Sequence, residues 1–101
     1  MAKLKLRWTG TALAEFGRML AFYNTRNGND KYSRNIIRMV NESLKLVVKF
    51  PRMYRLVDAE EVKGIRMFHC DYFLIYYKAD DSEVIVEAVF DTRQDPEKAP
   101  Y

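Results

Sequence analysis

A chain of 101 residues with 49% hydrophobic and 31% charged side chains has the size of one domain and enough apolar surface for a core, which excludes a disordered segment. Its net charge of +3 permits an anionic partner, nucleic acid or an acidic protein, without requiring one. The single cysteine, Cys70, excludes an intramolecular disulfide and points to a reducing cytoplasm; there is neither a run of ~20 apolar residues to cross a membrane nor a signal-peptide core.

The alternation in Leu4-Lys5-Leu6-Arg7-Trp8 predicts a short strand with Leu4, Leu6 and Trp8 on its covered face. Thr9 stands where a helix N-cap belongs, and Leu13, Phe16, Leu20 and Tyr23 follow at helical spacing. Asn27-Gly28-Asn29-Asp30 breaks the chain with residues that tolerate turn geometry. A second helix carries the apolar stripe Ile36, Ile37, Val40, Leu44, Val47 and Val48, and Pro51 stops it. Residues 52–61 show no period and read as a loop that carries Arg52 and Arg55. Three strands are predicted after it, Val62–Phe68, Tyr72–Lys78 and Glu83–Phe90, with hairpin turns at His69-Cys70-Asp71 and Asp80-Asp81-Ser82.

The order strand, helix, helix, three strands predicts an α+β domain spanning residues 1–101, with two helices packed on one face of a mainly antiparallel sheet. Period two then divides the strands. Val84, Val86, Ala88 and Phe90 share one face of the last strand, with Ile85, Glu87, Val89 and Asp91 opposite. The middle strand is apolar on both faces, Tyr72, Leu74 and Tyr76 against Phe73, Ile75 and Tyr77. In the first of the three, Ile65 and Met67 are expected inward, with Gly64, Arg66 and Phe68 outward. Two helices cover one face only. The other is expected to present Phe68, Phe73, Ile75, Tyr77, Ile85 and Val89 around Arg66 and Glu87, an apolar extent that a monomer seldom leaves bare. The C-terminal tail or a homodimer is one cover for it; a protein partner laid across the sheet is another.

The last strand runs into Asp91-Thr92-Arg93-Gln94-Asp95-Pro96, an arginine in a tight polar turn at a strand end. Such positions often carry function. Arg93 is expected at the rim of the uncovered face, aimed at a phosphate or a carboxylate; the alternative is that Asp91 and Asp95 clamp it to hold the turn. With one histidine and one cysteine adjacent in sequence, no metal constellation forms and no cofactor is expected.

In the order and spacing of Trp8-Thr9, Pro51, Val62-Lys63-Gly64-Ile65-Arg66, Tyr72–Tyr77 and Val89–Pro96, the chain resembles the RelE/ParE toxin superfamily of bacterial type II toxin–antitoxin modules. The resemblance covers nearly the whole chain. It implies a small toxin silenced by a cognate antitoxin, with two targets open: RelE-like members cleave mRNA on the ribosome, which is the first expectation, and ParE-like members poison DNA gyrase, which is the alternative. For RNA cleavage it implies catalytic roles for Arg66, Arg93 and Tyr101; Glu87 joins them as a candidate catalytic residue on the same face, and Arg52, Arg55, Lys63, Arg66 and Arg93 form a cationic neighbourhood for RNA phosphates. The apolar set Phe68, Phe73, Ile75, Tyr77, Ile85 and Val89 would bind the antitoxin. Gly64 and Phe73 stand where the ribonuclease pattern has lysine and arginine, so the basic site is depleted. Cleavage needs a base for the 2′-hydroxyl proton and cations for the charged phosphorane. Arginine supplies only the second, which leaves Glu87, His69 and Asp91 as candidate bases. A binding module that keeps the fold without the toxicity is the reading from a different class.

Overall fold

The computed structural model describes residues 4–57 and 63–101; the expected start of the second strand at Val62, and residues 58–61 of the preceding loop, lie outside them. The order along the chain is β1 (Lys5–Trp8), α1 (Gly10–Asn27), α2 (Lys31–Val47), β2 (Ile65–Cys70), β3 (Phe73–Ala79), β4 (Glu83–Asp91) and a 3-10 turn at Pro96–Lys98. The sheet runs β1-β4-β3-β2, with β1 parallel to β4 and the other pairs antiparallel. This is the expected α+β architecture.

Local chemistry explains the helix limits. The Thr9 hydroxyl accepts the backbone N–H of Ala12 at 3.0 Å and caps α1. Gly28 ends that helix at φ 72°, a left-handed position that costs glycine nothing. α1 buries Ala12, Phe16, Leu20 and Tyr23, while Leu13, expected inward, is 58% exposed. Ala12 takes the inward place because it lies four residues before Phe16 on the same stripe. α2 buries Ser33, Ile36, Val40, Leu44 and Val47, while Ile37 lies on the flank. Leu6 pairs with Val84 and shares its side, but the edge position of β1 leaves it exposed. No described helix is long and apolar enough to cross a membrane.

The sheet faces differ from the expectation. Both helices pack on Phe68, Cys70, Phe73, Ile75, Tyr77, Val84, Val86 and Val89. Phe68, Phe73, Ile75, Tyr77 and Val89 are therefore core residues, not an uncovered partner surface; of the expected apolar set only Ile85 lies on the second face, and it is half-buried. Two local features also differ from the expectation. The β2–β3 turn is the pair Asp71-Tyr72, with Asp71 at φ 56°, so His69 and Cys70 belong to β2. In β4 the pairing steps from Tyr77↔Val86 to Tyr76↔Ala88, a bulge at Glu87 that returns Val89 and Asp91 to the helix side.

The second face gathers Ile65, Tyr76, Ala88 and Phe90, with Val57, Met67, Leu74 and Ala99 packed on them. The C-terminal tail covers part of this face, not the face of Phe68, Phe73, Ile75 and Tyr77 that was expected to need a cover: the Tyr101 ring meets the Tyr76 ring edge-on at 5.0 Å. Part of the expected loop also pairs with the sheet. Val57 N–H donates to Ile65 and Met67 N–H to Arg55, so residues 55–57 run along the edge of β2.

Candidate functional site

Arg93 sits on the helix side of the sheet end, not at the rim of the second face. β4 carries Asp91 to the mouth of the core, where it is 2% exposed. The Tyr23 hydroxyl donates to its Oδ2. Arg93 donates to its Oδ1 from the backbone N–H at 2.9 Å and from Nε at 3.2 Å. Asp95 takes no part in that clamp; its carboxylate accepts the Glu97 N–H and caps the 3-10 turn.

Aromatic rings complete the seat. The Arg93 guanidinium carbon lies 4.2 Å from the centre of the Tyr23 ring and 4.4 Å from that of Tyr72, distances at which cation–π attraction holds a cation. Arg93 Nη2 also donates to the Tyr32 hydroxyl at 3.2 Å, and Tyr32 donates to Asp71 at 2.6 Å. Burial pushes the Asp91 carboxyl up, but hydrogen bonds from Tyr23 and Arg93 outweigh it and leave the pKa below its ordinary value. Burial and the bond to Asp71 push the Tyr32 phenol up to about 12. At neutral pH the cluster is a carboxylate and a guanidinium among neutral phenols.

The seat forms one wall of an open cleft of about 510 Å³, lined by Glu15, Arg18, Met19, Phe22, Tyr23 and Arg26 of α1 and by Asp91, Arg93 and Gln94. Sequence reasoning missed this stripe. Its signal is Phe22 between Arg18 and Arg26, four residues to either side, which puts the three on one helix face.

Arg66 lies elsewhere. It pairs with Tyr77, which places it on the helix side beyond the helices, and Nη1 donates to the Tyr54 carbonyl at 2.6 Å. It thereby ties the loop after α2 to β2. Arg52 and Arg66 line a second recess with Gly64, Asp80 and Asp81, where the two aspartates oppose a phosphate. Lys63 is exposed beside it.

A third place is the second face, where Arg55 and Tyr101 line a groove with Val57, Met67, Leu74 and Tyr76. Burial, and then the nearby Glu87 charge, raise the Tyr101 pKa, so the phenol is no base at neutral pH. His69 is exposed, in β2 rather than in a turn. Glu87 makes no ion pair with Arg66 or Arg93 among the described residues. The expected catalytic quartet is thus divided: Arg93 at the helix-side cleft, Arg66 under the loop, Glu87 and Tyr101 across the sheet.

Residues 6–96 match the family model described as ParE toxin of type II toxin–antitoxin system, parDE. Among solved structures, the chain is similar to one from a chromosomal ParDE toxin–antitoxin system of P. aeruginosa, at 16% identity and TM-score 0.70 over 88% of this chain and 96% of that one. It is also similar to the YoeB dimer of Staphylococcus aureus, at 14% identity and TM-score 0.62 over 86% and 94%. A chain of the E. coli DinJ–YafQ toxin–antitoxin complex aligns at 12% identity and TM-score 0.58 over 91% and 96%. These likenesses establish the shared fold. No curated protein sequence matches the chain.

Proposed function

The chain belongs to the ParE toxin family of type II toxin–antitoxin systems, and from that premise we propose that it is neutralised by a cognate protein antitoxin and arrests growth by binding DNA gyrase, without cutting RNA. The observation that carries the choice of target is the division of Arg66, Arg93, Glu87 and Tyr101 among three separate places. RNA cleavage at a 2′-hydroxyl needs a base and phosphorane-stabilising cations around one phosphate. Arg93 is committed to Asp91 and its aromatic seat, and Arg66 to a loop carbonyl. The ribosome-dependent mRNA cleavage that the sequence suggested would have to rely on Arg55, Glu87 and Tyr101 alone.

Induction of the gene in cells, followed by assays of plasmid supercoiling and gyrase-cleaved DNA and by mapping of mRNA 5′ ends, tests this reading. Accumulated cleaved DNA without new codon-dependent 5′ ends is the expected result. Codon-dependent cuts in translated mRNA, lost on Glu87→Gln or Tyr101→Phe, would replace it with the ribonuclease reading.

A further inference from the structure

We propose that the α1 cleft receives an acidic segment of the antitoxin, with one large apolar side chain seated on Phe22 and Met19 and carboxylates on either side of it reaching Arg18 and Arg26. This rests on the antitoxin reading above and adds where the antitoxin binds and by what chemistry.

The lining has the composition of a protein interface. Arginine, methionine and large aromatic residues are the types enriched where proteins meet and the ones that dominate binding energy there. Here they are Arg18, Met19, Phe22, Tyr23, Arg26 and Arg93 in one cleft. Phe22 is 58% exposed, and its ring rests edge-on against Tyr23 at 5.0 Å. It is a large apolar side chain held in place yet largely uncovered, which suits an anchor.

Charge selects the occupant. The Asp91 carboxylate is answered by Tyr23 and Arg93, while Arg18 and Arg26 make no ion pair among the described residues. Glu15 is the remaining acid of the lining, so the cleft is positive but interrupted. That pattern fits carboxylates at set places on a protein segment. It fits a polyphosphate backbone poorly, because one phosphate after another would pass Glu15 and an apolar floor. The volume of about 510 Å³ admits one or two side chains, not a folded domain.

The experiment is a titration of the purified toxin with the antitoxin encoded by the adjacent reading frame, comparing wild type with Phe22→Ala, Arg18→Glu/Arg26→Glu, and the control Leu13→Ala. Leu13 is equally exposed on the other flank of α1, and circular dichroism checks that each variant folds. Phe22→Ala is expected to weaken binding about thirtyfold, the effect of losing a central anchor. The double reversal is expected to weaken it at least as much, with the loss shrinking in high salt. Leu13→Ala should bind as wild type does. Tight binding by wild type and equal binding by every variant would overturn the cleft assignment alone. No binding by wild type would overturn the antitoxin reading and this inference with it. Displacement of the bound antitoxin by a single-stranded oligouridylate that also depends on Arg18 and Arg26 would assign the cleft to nucleic acid instead.

Discussion

Arg93 Nε lies 3.2 Å from Asp91 Oδ1 while the same carboxylate accepts the Tyr23 hydroxyl, so one buried acid holds the last strand to α1 and fixes the arginine in its aromatic seat. Asp91→Asn removes the charge that both donors address. A hydrogen bond to a charged group contributes about 1.5–3 kcal/mol, and Arg93 is partly solvated, so a loss of about 2 kcal/mol is expected in urea denaturation. Arg93→Lys should not behave as wild type, because an ammonium lacks the planar fork that bonds Asp91 and stacks on Tyr23.

The same carboxylate sets an acid limit. Its folded pKa lies below the ordinary value, so its contribution is complete above the unfolded pKa of about 3.9 and is lost as pH falls through the folded value. The difference in stability between wild type and Asp91→Asn should be full at pH 6 and should shrink below about pH 4. A difference unchanged down to pH 2 would show that the charge is not what stabilises the turn.

The element order was legible because each boundary carries its own local chemistry: Thr9 as a cap, Gly28 in a left-handed position, Pro51 after α2. The sheet faces were not. β3 is apolar on both sides, so period two has no polar side to tell which face the helices cover, and the bulge at Glu87 breaks the period within β4. Arg66 and Gly64 misled further, since a polar side chain at the end of β2 points to the helix side but past the helices, where the Tyr54 carbonyl takes it. Asp91 was visible as a clamp for Arg93 or as a candidate base, not as a link to α1. Its bond to Tyr23 joins residues 68 apart in sequence, and no local pattern records it.

The corrected faces separate two neighbouring substitutions. Phe73 is fully buried and meets Phe16 and Tyr23 edge-on at 6.1 Å each. Phe73→Arg places an unpaired charge in that core, and the combined loss of packing and desolvation exceeds about 5 kcal/mol, as much as many domains possess. It should fail to fold. Leu74→Arg, on the half-covered second face, should fold with a loss of about 1 kcal/mol. Soluble expression and circular dichroism of the two variants check this; the reverse outcome would return the faces to the first expectation.

Gly64 has φ 81°, and a Cβ there would meet only Lys78 Cε at 3.8 Å. Space is not the constraint; backbone conformation is. Gly64→Lys, which restores the basic residue of the ribonuclease pattern, should cost about 1 kcal/mol from strain. On the gyrase reading proposed above, it should leave growth arrest unchanged and bring no mRNA cuts, because Glu87 and Arg93 lie in other places. Thermal denaturation and the 5′-end map check both parts.

Tyr32 predicts an alkaline limit. Its folded pKa of about 12 is above the unfolded value of about 10, so the folded state keeps a proton that the unfolded state releases between them. That contribution is fully present below pH 10 and declines as pH rises toward 12. Urea midpoints at pH 9, 10 and 11 should fall for wild type and fall less for Tyr32→Phe, which has no proton to lose. Equal slopes would show that the burial of Tyr32 and its bond to Asp71 are not maintained in solution.

Tyr101 predicts what lies beneath the tail. Its ring packs edge-on against Tyr76 at 5.0 Å, and with Ala99 it covers the cluster of Ile65, Tyr76, Ala88 and Phe90. An aromatic pair of this kind contributes about 0.5–1.5 kcal/mol beyond its area. Tyr101 is 40% exposed, so Tyr101→Ala should cost about 1 kcal/mol and leave the fold intact. The larger effect is on association, because removing the ring bares Tyr76 and Leu74 as a contiguous apolar strip. Binding of a hydrophobic dye should rise, and sedimentation should show more self-association than wild type at the same concentration. Dye binding and sedimentation identical to wild type would mean that the tail does not rest on the sheet in solution.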